Sequence, residues 1–149
     1  MRKIMAEKRK TAVELINSHS EQELPSTLLV VLAEKVIERE KINLSTLSIM
    51  LVNDEYLRKL HRQFLRDDSF TDVMTFEWDD DGRESEIYIS LERAKINARE
   101  YNVPMEEELA RLIIHGLLHL KGLDDNTAEQ REKMHQRENK LLDLFWEKI

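Results

Sequence analysis

The sequence predicts an α+β fold, in which a small four-stranded sheet is combined with about five helices in a single domain spanning residues 1–149. Four segments have the short length and apolar character of β-strands, and five carry apolar residues at the three- and four-residue spacing of helices. The chain has no internal repeat, low-complexity tract or long linker that would divide its 149 residues. One hydrophobic core is therefore expected.

The first half of the chain is predicted to alternate between strands and helices. Its elements are a strand over 11–17, a helix over 26–40, a strand over 46–52 and a helix over 54–64. Pro25 and Asn53 are typical of residues that begin helices, which supports the two helix starts.

The second half is predicted to place two strands before three helices. Its elements are strands over 73–78 and 86–90, helices over 91–101 and 104–121, and a last helix that follows residue 127. An aspartate-rich turn ending at Gly82 separates the two strands. Gly122 is a helix stop, and Thr127 with Gln130 forms a capping box for the last helix.

Composition limits the function classes. No apolar run approaches the roughly 20 residues of a membrane span, and the start does not resemble a signal peptide, so we expect a cytoplasmic protein without a membrane partner. The absence of cysteine leaves His, Asp and Glu as the ligands of any metal site. A net charge of −7 disfavours extended nucleic-acid binding, although a local basic groove stays open.

A metal site is predicted at the end of the 104–121 helix. His115 and His119 are four residues apart, so they lie on one face of a helix with about 3.6 residues per turn. Gly122 lets the chain fold back, which brings Asp125 within reach as a third ligand. Three protein ligands leave one coordination position for water, as in catalytic zinc sites.

The two-histidine spacing is zincin-like, but Gly116 follows the first histidine where metalloproteases carry the glutamate that acts as general base. A protease of that mechanism is therefore disfavoured. Two histidines and a carboxylate also occur in non-haem iron oxygenases, for which this chain has too few strands.

The motif of residues 115–124, His-Gly-x-Leu-His-Leu-x-Gly-x-Asp, resembles the signature of the YbeY family, bacterial endoribonucleases linked to ribosomal RNA maturation. Residues 71–76, Thr-Asp-Val-Met-Thr-Phe, are similar to the family's Thr-Asp-Val-Leu-Ser-Phe segment, and 86–90 are similar to its Gly-Asp-Ile-x-Ile-Ser strand. Met134 and Glu138 match a Met-x-x-x-Glu pattern in its last helix. The resemblance implies a four-stranded mixed sheet, one zinc ion or another divalent metal held by three ligands, and cleavage of single-stranded RNA.

The chain departs from the family signature at the third ligand. The signature continues Gly-Tyr-Asp-His, so Asp125 stands where the family has histidine and Leu123 replaces tyrosine. Asp124 is the alternative ligand. An extra negative charge would make zinc a weaker Lewis acid and would favour harder metals.

Two arginines are the candidates for phosphate binding and transition-state stabilisation. The resemblance implies an arginine before Thr-Asp-Val, but Leu65 stands at that place; Arg66 follows it, and Arg62 is the other candidate. Both belong to the basic cluster 58–66, whose alternative interpretation is a solvated helix face.

Two carboxylates carry less specific hypotheses. Asp72 is expected either to orient a ligand or to fix its loop. Glu138 lies within the apolar face of the last helix, so it needs a partner, which is either a ligand imidazole or a backbone end.

Three functions fit these observations. The first is a single-strand-specific, metal-dependent endoribonuclease that acts in ribosomal RNA processing, with the ribosome as a further partner. The second is a metallohydrolase acting on a peptide or a small phosphoester. The third is a non-catalytic, ribosome-associated protein with a structural metal.

Overall fold

The computed structural model describes residues 10–18, 23–66, 69, 71–79, 81 and 83–146. Its strands are β1 (Ala12–Asn17), β2 (Thr46–Val52), β3 (Val73–Glu77) and β4 (Glu84–Ser90). Its helices are α1 (Ser26–Glu40), α2 (Asp54–Leu65), α3 (Leu91–Tyr101), α4 (Met105–Lys121) and α5 (Ala128–Phe145). The α+β prediction is thus confirmed over the described ranges.

Three strand boundaries differ from the prediction. β1 begins at Ala12 instead of residue 11. β4 begins at Glu84 instead of residue 86, because it pairs with β2 over its full length and Glu84 lies opposite Thr46. The polar pair Glu84-Ser85 gave no apolar signal for this extension. β3 ends at Glu77, although the amide of Trp78 still donates to the carbonyl of Glu84 at 2.8 Å.

The sheet is mixed, with strand order β1-β2-β4-β3. β1, β2 and β4 are parallel, and β3 pairs antiparallel with β4. Strands β1 and β3 therefore form the edges of the sheet. The mixed four-stranded sheet that the resemblance implied is confirmed.

The two faces of the sheet are covered differently. Side chains alternate along each strand, and the face that carries Ile49 and Ile87 packs against α1 and α4 to form the main core. The opposite face carries a smaller cluster in which Leu57 of α2 packs against Val52 and Met74. α2 and α4 thus lie on opposite faces.

Helix α4 lies at the centre of the main core and positions the predicted metal ligands. A Cβ atom on Gly116 would lie 3.0 Å from side-chain atoms of Ile87, so glycine is what permits the close contact between α4 and β4. None of the described helices combines the length and hydrophobicity that a membrane span requires.

Candidate metal centre

The two histidines on α4 face one another. Their Nε2 atoms are 2.9 Å apart, and both side chains are partly buried. This geometry follows from their spacing of four residues on a regular helix. The sequence prediction that they form a pair agrees with this placement.

The turn after α4 brings an acid to the same point. Gly122 adopts a left-handed conformation with φ of 110°, and its amide and that of Leu123 bond to the last carbonyls of the helix. The chain then returns so that Oδ2 of Asp125 lies 3.4 Å from Nε2 of both His115 and His119. Asp124 is exposed and is not part of this group.

These three side chains fit a divalent metal. Zinc bonds of about 2.0–2.2 Å in tetrahedral geometry place ligand atoms about 3.3 Å apart, close to the distances between His115, His119 and Asp125. Three lone-pair donors at such short range repel one another unless a cation or a proton lies between them. The group can therefore hold a divalent metal with one coordination position left over.

Glu138 of α5 fixes the orientation of one imidazole. Its Oε2 atom accepts a hydrogen bond from Nδ1 of His115 at 2.6 Å, which leaves the Nε2 lone pair directed at the centre. Arg111 donates to the other carboxylate oxygen at 3.3 Å. Of the two partners considered for Glu138, the imidazole is the one present.

The same contacts change the acidity of His115. Burial alone would lower the pKa of His115, but the hydrogen bond to Glu138 and the charge of that carboxylate outweigh it and raise the pKa. Asp125 and Asp72 act in the same direction. The imidazole therefore lies in a strongly negative environment, which also favours a bound cation.

Asp72, which is a candidate from the sequence, belongs to a polar network whose contacts the sequence does not predict. Nδ2 of Asn97 on α3 donates to Oδ2 of Asp72 at 3.1 Å and to Oε2 of Glu108 at 3.2 Å. Glu108 lies on α4 seven residues before His115, and this two-turn spacing is the signal that could have revealed it. Asn97 carries no comparable signal.

The two candidate arginines lie at the end of α2. Arg62 is in its last turn, and Arg66 is its C-terminal cap in a left-handed conformation; both side chains are exposed. Among the described residues, Glu138 is the one side chain outside His115, His119 and Asp125 that bonds to a side chain of these three, and neither Arg62 nor Arg66 takes part. The phosphate-binding role of these arginines stays a prediction.

Comparisons with known proteins show which family this chain resembles. The family model described as Endoribonuclease YbeY matches residues 6–145. An Endoribonuclease YbeY of Christiangramia forsetii is 37% identical over 113 residues, which are 75% of this chain and 79% of the relative. That of Chlorobaculum parvum is 37% identical over 121 residues, which are 80% of this chain and 86% of the relative.

A solved structure extends the similarity to the fold. The solution structure of a Thermotoga maritima protein matches with a TM-score of 0.57 and 30% sequence identity, over 89% of this chain and 90% of that one. The match to the family model covers the whole of α4, the turn to Asp125 and the whole of α5, so it includes the elements that form the centre. The chain belongs to the YbeY endoribonuclease family.

Proposed function

We propose that this protein is a single-strand-specific, metal-dependent endoribonuclease that acts in ribosomal RNA processing, with zinc as its metal. The observation that carries the proposal is the convergence of His115, His119 and Asp125 at one partly buried point, in a chain of an endoribonuclease family. The expected substrate is ribosomal RNA, either free or within the ribosome.

The chain's own residues have separate tasks in this mechanism. His115, His119 and Asp125 hold the metal, and Glu138 keeps the His115 ring in the tautomer that binds it. When bound, the metal supplies a Lewis acid that polarises the phosphodiester and acidifies a water molecule. Arg66 or Arg62 binds the non-bridging phosphate oxygens and offsets the charge that develops on them.

The aspartate ligand gives this site a distinctive prediction. Asp125 adds one negative charge to a ligand set that would be neutral with three histidines, which would make a bound metal a weaker Lewis acid. Oxygen ligands also favour harder cations than imidazole does. Elemental analysis of the purified protein tests the identity of the metal. Zinc at one ion per chain would support the proposal, whereas manganese or magnesium at that ratio would contradict zinc as the metal.

Cleavage of RNA is the direct test. Single-stranded RNA, a duplex of the same sequence and a peptide are incubated with the protein, with and without a chelator. We expect cleavage of the single strand alone, and we expect it to stop with the chelator and in a His115→Ala variant. Hydrolysis of the peptide instead of RNA would contradict the proposal and favour the other metallohydrolase function, and metal binding without any hydrolysis would favour the structural one.

A separate set of variants tests the phosphate-binding role of the two candidate arginines. Arg66→Ala and Arg62→Ala are compared with Arg99→Ala, which removes an exposed arginine on α3. We expect a loss of about 10²-fold or more in kcat in the variant that removes the phosphate-binding group, and wild-type metal content in all three. Wild-type kcat in both Arg66→Ala and Arg62→Ala would remove both residues from the mechanism.

A further inference from the structure

Hydrolysis of a phosphodiester by water needs a group that accepts a proton from the water. On α4, the residue that directly follows His115 cannot be this group. The position that follows His115 is Gly116, and Ile87 fills the space that a side chain there would occupy. The residue after the first histidine, where metalloproteases carry their general base, therefore cannot be the acceptor in this protein.

Asp72 is well placed to be that acceptor. It immediately precedes β3, and its backbone carbonyl accepts a hydrogen bond of 3.0 Å from the amide of Ser90, which ties this point of the chain to the end of β4. Its carboxylate is partly buried, and Asn97 links it to Glu108, which lies on the face of α4 that carries His115 and His119. Its negative charge also acts to raise the pKa of His115. Among the described residues, Asn97 is the one side chain that donates a hydrogen bond to it, and the bond occupies Oδ2. Oδ1 is left to accept a proton.

The support behind Asp72 is unusual for a surface loop. Nδ2 of Asn97 bridges Asp72 to Glu108, which is 2% exposed. Oε1 of Glu108 is buried and has no hydrogen-bond partner among the described residues. A buried oxygen without a partner destabilises a fold and therefore needs an explanation, and a role in a functional site is one such explanation.

We propose that Asp72 accepts the proton of the attacking water, and that Asn97 and Glu108 are positioning residues that hold its carboxylate toward the metal centre. This inference rests on the proposed function. It assigns the general-base role to the start of β3 instead of to the metal-binding helix.

The step conserves atoms and charge. One proton of the water passes to Oδ1 of Asp72 while the water oxygen forms a new bond to phosphorus. The bond between phosphorus and the leaving ribose oxygen breaks with its electron pair on that oxygen, which takes a proton from solvent. Asp72 then releases its proton to solvent, and the products are a phosphomonoester and an alcohol.

The first experiment removes the acceptor from the full-length, metal-loaded protein. Asp72→Ala and Asp72→Asn are compared with Asp143→Asn, which changes an exposed acid on α5. We expect kcat for single-stranded RNA to fall about 10²- to 10⁴-fold with KM within threefold, and metal content and affinity to stay at wild-type values. Added formate, a small carboxylate, should raise kcat at least tenfold in Asp72→Ala and should not change kcat in His115→Ala.

Each result decides the matter. Wild-type kcat in Asp72→Asn, loss of metal together with activity, or failure of formate to restore Asp72→Ala overturns the acceptor role. Asp72→Asn keeps the oxygen that Asn97 binds, so it carries the kcat test if Asp72→Ala does not fold. A wild-type protein that does not cleave RNA would contradict the proposed function itself, which is a separate outcome.

The second experiment asks whether Asn97 acts through Asp72. Asn97→Ala should lower kcat about tenfold in the wild-type background and leave it unchanged within twofold in the Asp72→Ala background. A purely structural Asn97 would lower kcat equally in both backgrounds, which would overturn its positioning role.

Discussion

Two buried glutamates, Glu40 and Glu108, are 4% and 2% exposed, yet their surroundings differ. The Glu40 cluster consists of Glu40 at the end of α1, Arg137 of α5 and Lys121 of α4. Arg137 donates to both carboxylate oxygens at 2.9 and 2.8 Å, and Lys121 donates to one of them at 3.3 Å. Glu108 has the amide of Asn97 as its one hydrogen-bond donor, and its second oxygen has no partner within the described part of the chain.

The difference shows which of the two carboxylates stabilises the fold when it is ionised. Burial alone would raise the pKa of Glu40, but the hydrogen bonds and charges of Arg137 and Lys121 lower it. Burial raises the pKa of Glu108 from 4.5 to about 7, because the bond from Asn97 and the charge of Arg111 are too weak to offset it. The negative charges of Asp72 and Glu138 act in the same direction as burial. Ionised Glu40 therefore stabilises the fold, and ionised Glu108 destabilises it.

The largest effect is expected for Glu108→Gln, which imitates the protonated acid. The folded protein holds a proton on Glu108 up to about pH 7 whereas the unfolded chain loses it near 4.5, so wild-type stability should fall as pH rises through this window. The variant should lack this fall and exceed the wild type by about 3 kcal/mol at pH 8, with no difference near pH 4. Urea unfolding at several pH values measures it, with metal at equal saturation.

Glu100→Gln is the matched control, since it changes an exposed acid on α3. A Glu108→Gln variant that is less stable than the wild type at pH 8 would contradict the comparison, because it would mean that the charge of Glu108 stabilises the fold.

The opposite sign is expected for Glu40→Gln. The pKa of Glu40 is lowered in the folded state, so its contribution is present above the unfolded value of 4.5 and is lost as pH falls through the lower folded value. The variant should lose about 2 kcal/mol at pH 7, because hydrogen bonds to two charged groups are weakened. The measurement is unfolding of the wild type and the variant at pH 7 and pH 3, and the two free energies of unfolding should converge at the lower pH. A deficit of the variant that persists at pH 3 would mean that the lost stability comes from packing instead of charge.

The sequence predicts the elements of both regions but not the partners within them. Periodicity and capping residues give all the described helices and strands, since these signals are local. The three candidate metal ligands lie within eleven residues of one another, at a helical spacing and a glycine stop, so local sequence signals also predict their grouping. Glu40 and Arg137 are separated by 97 residues, and Asp72 and Asn97 by 25, so these contacts depend on how the helices pack. No local pattern reports such packing.

Neighbouring residues on α5 connect the two regions. Arg137 donates a hydrogen bond to Glu40, and Glu138 accepts a hydrogen bond from His115. Glu138→Gln keeps an acceptor but removes the negative charge beside the ring, so we expect about a tenfold loss of metal affinity. Competition with a chromogenic chelator measures it, and Glu129→Gln, in an exposed ion pair with Lys133, is the control. Unchanged affinity would show that the hydrogen bond to His115 does not tune the centre.

The smallest effect is expected for Lys121→Ala, and it separates the two cations of the Glu40 cluster. The Lys121 side chain is 38% exposed and makes one bond of 3.3 Å, whereas Arg137 makes two shorter bonds in the forked geometry typical of guanidinium–carboxylate pairs. Solvent screens the lysine, so its removal should lower the free energy of unfolding by about 0.5 kcal/mol at pH 7. Arg137→Ala should cost several times more, because it leaves the buried carboxylate with the lysine alone. Equal losses in the two variants would mean that net charge, and not the forked hydrogen bonding, holds Glu40 ionised in the core.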